Sequence, residues 1–148
     1  MLTSKGLDSN MSVESFTPES IDKALTAALA TVVSPQVAAF IAEREAAGWK
    51  FYVVRQNRGR CYYHSQVITI PVWALARDVD YRNWYVSHEI AHTFAIGDGH
   101  GKLFMEALMR ICPANALYHE LGYKPRAASS AGIKKPVKIS INNAKDAL

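Results

Sequence analysis

Two cysteines in 148 residues, Cys61 and Cys112, make neither a disulfide framework nor a C-x-x-C pair. Thiols so sparse point to buried side chains in a reducing compartment, and the cytoplasm is the expected location. Long apolar runs are missing too. No stretch reaches the length that crosses a bilayer, so no membrane contact is expected. The first fifteen residues are polar and hold no apolar run of the kind a secretory leader needs; they are expected to be disordered. Charged residues amount to 20% and hydrophobic ones to 49%, which excludes the highly charged, weakly hydrophobic class of disordered chains. The length suits one domain with a real core.

An acidic excess is also absent: the formal net charge is +4. It is unevenly spread. Residues 1–122 carry 11 Lys and Arg against 12 Asp and Glu, whereas residues 123–148 carry 6 against 1. The basic character therefore belongs to a tail rich in Pro, Ala, Ser, Gly and Lys, expected to be flexible, with one short strand allowed at 137–141. Lys50, Arg55, Arg58 and Arg60 form a second basic patch with no acidic residue between them. Tail and patch together permit weak, salt-sensitive contact with DNA phosphates.

What the chain does have is His88-Glu89-Ile90-Ala91-His92, followed eight residues later by His100. On a helix, positions four apart are neighbours, so His88 and His92 can bite one divalent ion, with Glu89 placed to reach a water on it. This is the H-E-x-x-H arrangement of zinc hydrolases. Helix is expected from Tyr81 to Ile96, capped by Asp80 and ended by Gly97, because no proline or glycine interrupts it. The chain then turns through Asp98-Gly99 and presents His100 as a third ligand. Three protein ligands and one open position for water are what a catalytic zinc site needs. Asp98, six residues beyond His92, is the competing donor. Families using that spacing place a glycine three residues after the second histidine, and here that residue is Ala95, which favours His100.

Elsewhere the signals are architectural. Thr17-Pro18 opens a helix running to about Val32, with Phe16 stapled onto Ile21, and Ser34-Pro35 opens another to Gly48. Phe51–Val54, Cys61–Tyr63 and Val67–Ile70 predict three short strands in a small antiparallel sheet. The segment Gln66–Ile70 is a candidate open edge for holding an extended substrate. Trp73–Arg77 predicts a helical turn, Lys102–Ile111 a helix against the metal helix, and Pro113–Leu121 a last short helix. His119-Glu120 has no histidine at the required distance and is read as surface; His64 is read as a turn residue. The domain is placed at residues 16–122 and its class is α+β.

Gly59-Arg60-Cys61 before Ile68-Thr69-Ile70, then Ser87–His92, then Gly99-His100-Gly101-Lys102-Leu103-Phe104 succeed one another in an order that resembles the SprT-like (Spartan-related) zinc metalloprotease family, over roughly residues 35 to 112. The resemblance implies a compact zincin-type fold, zinc on His88, His92 and His100, and Glu89 as catalytic acid/base. It also implies proteolysis, directed in some members at proteins on DNA. No cysteine follows Cys112, so the C-terminal zinc ribbon of many members is missing and the short form is expected. The rival reading is a zinc-braced nucleic-acid-binding or adaptor module, whose fourth ligand would be Cys61 or His64.

Overall fold

Ser34 and Pro35 start a helix for the expected reason: the Ser34 hydroxyl accepts from the Val37 amide, and proline takes the first helical position. In the computed structural model, which describes residues 17–123, this helix follows a shorter one. We label them α1 (Lys23–Ala28) and α2 (Pro35–Ala46). The single helix expected from Pro18 to Val32 is broken. Pro18–Ser20 is a 3-10 turn, and Ile21 is extended because it bridges to Val54, after which Asp22 caps α1 through the Leu25 amide. A long-range pairing overrides local helix propensity there. The expectations for the first sixteen residues, the Phe16 staple included, and for the tail from residue 124 lie outside the described residues.

Three strands follow: β1 (Lys50–Val54), β2 (Arg60–Tyr62) and β3 (Val67–Pro71). The sheet is mixed, not antiparallel as the sequence suggested. Its order is β1-β3-β2, with β1 parallel and β2 antiparallel to β3. The cause lies in β3, which is buried at every position. A strand with no polar face is most stable in the middle, covered on both sides and flanked on both edges. The half-buried, three-residue β2 goes outside. Gln66–Ile70 is accordingly no open edge, since β3 is hydrogen-bonded on both flanks.

The remaining helices are α3 (Val72–Leu75), α4 (Val79–Phe94), α5 (Lys102–Ile111) and α6 (Ala114–Gly122), so the class is α+β. Helix α4 is the hub. Its Val86, Ile90 and Ala91 are fully buried and join Val37, Ile68, Ile70, Phe104 and Leu108 in one core. Its cap is Asp78, which accepts from the Tyr81 amide, rather than Asp80; Asp80 instead accepts from Asn115 on α6. No helix among the described residues is long and apolar enough to cross a membrane.

Candidate metal centre

The 3.6-residue turn of α4 stacks His88 and His92 with ring centroids 5.1 Å apart. The helix stops at Phe94, and Gly97 and Gly99, both at positive φ, reverse the chain. Asp98 fixes this reversal: its carboxylate accepts from the Phe104 amide in the first turn of α5. His100, held between these anchors, brings its ring centroid to 4.9 Å from both His88 and His92. Phe104, fully buried, lies under all three rings at 4.9, 4.7 and 4.9 Å.

The three histidines named from the sequence thus converge. One ligand nitrogen from each lies within 4.8 Å of the others, and His88 Nε2 is 3.2 Å from His100 Nε2. Asp98 is not in the cluster, and neither are Cys61 and His64. His64 is exposed in the turn between β2 and β3. Cys61 and Cys112 are free thiols, each with its pKa raised chiefly by burial.

The donor set suits a cation. Burial, with His88 and His100 alongside, pushes His92 down to about 3. His100 is lowered by burial and by His88. Burial also opposes protonation of His88, yet the bond and charge of Glu120 outweigh it and hold its pKa above the ordinary value. The 3.2 Å between His88 Nε2 and His100 Nε2 fits an N–H···N hydrogen bond when one of them carries a proton; with both deprotonated, their lone pairs would repel unless a cation sat among them. Neutral imidazoles are the form that binds metal. His92 Nδ1 is buried and has no hydrogen-bond partner among the described residues.

Glu89 lies between the two helical histidines in sequence and is 7% exposed. Burial pushes its carboxyl up to about 7, with His88 and Arg60 pulling down and Glu120 pushing up. A carboxyl poised near neutrality can take and return a proton at physiological pH. Tyr85, one turn before Glu89, is occupied elsewhere: its hydroxyl accepts from the Gly59 amide at 2.8 Å and ties the loop before β2 to α4.

Glu120 is a correction. It is 8% exposed, not surface, and its Oε1 accepts from His88 Nδ1 at 2.7 Å and from Trp84 Nε1 at 2.8 Å. Neighbouring His119 is half-buried against Tyr81 and Trp84. The available signal was that Glu120 falls four residues after buried Ala116 and so lies on the apolar stripe of α6. Tyr123 also went unnoticed; its ring packs 5.2 Å from His88 and 5.6 Å from His100.

No protein-family model, curated protein or solved structure matches the chain.

Proposed function

We propose that this chain is a zinc-dependent metalloendopeptidase of the SprT-like type with a zincin-like fold, acting in the cytoplasm. The observation that carries the reading is the convergence of His88, His92 and His100 beside a buried Glu89, with no fourth Cys, His or carboxylate in the cluster among the described residues. His88, His92 and His100 would hold the zinc, which would supply Lewis-acid polarisation of a carbonyl and acidification of water toward neutrality. Glu89 takes the proton of the attacking water and delivers it to the leaving amine, a role that suits a carboxyl with a pKa of about 7. Glu120 keeps His88 oriented, and Phe104 keeps bulk solvent from the underside of the rings.

A zinc-braced adaptor would close the fourth position with a protein side chain. Neither of the two candidates for that role, Cys61 and His64, belongs to the cluster, which favours the enzyme. DNA-associated proteins are the proposed substrate class, on the SprT-like resemblance and on the basic residues near the sheet. Of these, Lys50 and Arg58 are exposed, while Arg55 is engaged by Asp22 at 2.8 Å.

The test is incubation of the zinc-loaded protein and its Glu89→Gln variant with a DNA-binding protein, with and without DNA. Wild type should cleave, and Glu89→Gln should retain zinc and fold but cleave at least a hundredfold more slowly, roughly the lower reach of acid–base catalysis. A fully active Glu89→Gln would sink the mechanism. Zinc bound without any cleavage by wild type would favour the adaptor.

A further inference from the structure

We infer that Glu120 is the positioning residue of the metal centre, locking His88 in the ring orientation and tautomer that aim Nε2 at His92 and His100. The inference rests on the reading of the three histidines as metal ligands. His88 uses Nε2 toward the cluster, 3.2 Å from His100, so Nδ1 must carry its other bond. That bond goes to Glu120 Oε1 at 2.7 Å. The same oxygen takes the indole N–H of Trp84, one turn earlier on α4, at 2.8 Å. Two donors on one oxygen stop the carboxylate from swinging away, and both donors stand on the ligand-bearing helix.

Charge balance points the same way. Three neutral imidazoles leave both charges of a divalent ion uncompensated in a buried setting. Glu89 and Glu120 are the buried carboxylates among the described residues. A buried carboxylate is costly unless it is paired and hydrogen-bonded. Glu120 has two N–H donors, and a cation held by the three imidazoles would add to its compensation through His88. Glu120 touches a ligand and Glu89 is left for proton transfer, so the two carboxylates divide the work. Carboxylates bound to the outer nitrogen of a ligating histidine raise its basicity, and their loss typically weakens metal binding ten- to a hundredfold. Helix α6 is therefore part of the centre, although it supplies no ligand.

The test measures zinc affinity of the full chain by competition with a chromophoric chelator, and the visible spectrum of the cobalt-loaded protein. Wild type, Glu120→Gln, Glu120→Ala, Glu120→Leu and Trp84→Phe are compared, each checked for folding by circular dichroism. Glu120→Ala should bind zinc ten- to a hundredfold more weakly. Glu120→Gln keeps an acceptor oxygen and loses the charge, so it should fall between, with a tetrahedral cobalt spectrum because the three imidazoles remain. Trp84→Phe removes only the second donor and should lose less than Glu120→Gln. Wild-type affinity in folded Glu120→Ala overturns the inference; if Glu120→Ala does not fold, Glu120→Leu, which fills the same space without an acceptor, decides in its place. A loss in Trp84→Phe equal to that in Glu120→Ala also overturns it, since packing alone would then explain both. Absence of zinc and cobalt binding in wild type overturns this inference together with the metal reading. Metal binding without peptide cleavage removes only the peptidase.

Discussion

The carboxylate of Asp98 lies over Gly101, with Oδ1 only 2.8 Å from where a β-carbon on that residue would stand. The same carboxylate accepts from the Phe104 amide, so one small residue lets one side chain cap α5. Gly101→Ala would push the carboxylate off its donor. The expected cost is about 1 kcal/mol, that of a lost helix cap, and Asp98→Ala should cost the same. The two changes break one interaction, so the double variant should cost little more than either alone. Urea midpoints of the three variants check this; full additivity would show that the two residues act separately. Zinc affinity should fall as well, because His100 sits between them.

Removal of the metal should leave the fold standing. The core face of α4, with Val86, Ile90 and Ala91 fully buried, owes nothing to the histidines. Chelator-treated protein should therefore keep its far-ultraviolet circular dichroism. Added zinc at a hundredfold excess over its Kd should contribute about 2.7 kcal/mol, a rise in Tm of roughly 10 °C. Collapse of the helical signal on chelation would instead mean that the ion builds the domain.

Gly59 is predicted to tolerate no side chain. A β-carbon there would fall 2.4 Å from the Thr69 carbonyl oxygen and 3.1 Å from Pro71. Gly59→Ala must pry the loop from β3 and should cost about 1–3 kcal/mol, the range for overpacking. Tyr85→Phe, which removes only the acceptor of the Gly59 amide, should cost about 1 kcal/mol. Equilibrium unfolding of both variants tests the order; a neutral Gly59→Ala would show that the loop yields freely.

Acid sensitivity should pass in part through His119. Burial holds its pKa below the ordinary value, with Arg77 adding to that and Asp78 and Asp80 opposing it. The unfolded chain, titrating at about 6.5, then binds the proton more readily than the folded one. Stability is fully present above that value and falls as pH drops below it toward the folded pKa. His119→Gln should show a smaller loss between pH 7.5 and 5.5 than wild type, measured by urea unfolding at both values. Identical losses would rule His119 out.

The convergence of the three histidines was legible because its information is local. His88 and His92 are one turn apart, and Gly97 and Gly99 announce the reversal that brings His100 back. Lys102–Ile111 was found with its full span for a similar reason: apolar spacing with Gly101 before it. What escaped depends on distant partners. Glu120 differs from a surface glutamate only through Trp84 and His88, more than thirty residues away in the chain. Strand order escaped because an apolar run such as Val67–Pro71 states that it is buried, not which strands flank it. Asp78 and Asp80 are both able to cap, and only the path of the preceding residues selects Asp78.

Ile21 bridges to Val54, and the Asp22 amide donates to the Val53 carbonyl at 2.7 Å, so the chain itself covers the Val53–Val54 end of the β1 flank. A foreign strand finds no ladder to extend there. An extended polypeptide that joins this sheet without meeting that cover does so at the β2 flank, where burial and then the charge of Glu89 raise the pKa of Cys61. Self-association through that flank and the threading of a polypeptide past Glu89 would compete for one and the same three-residue strand.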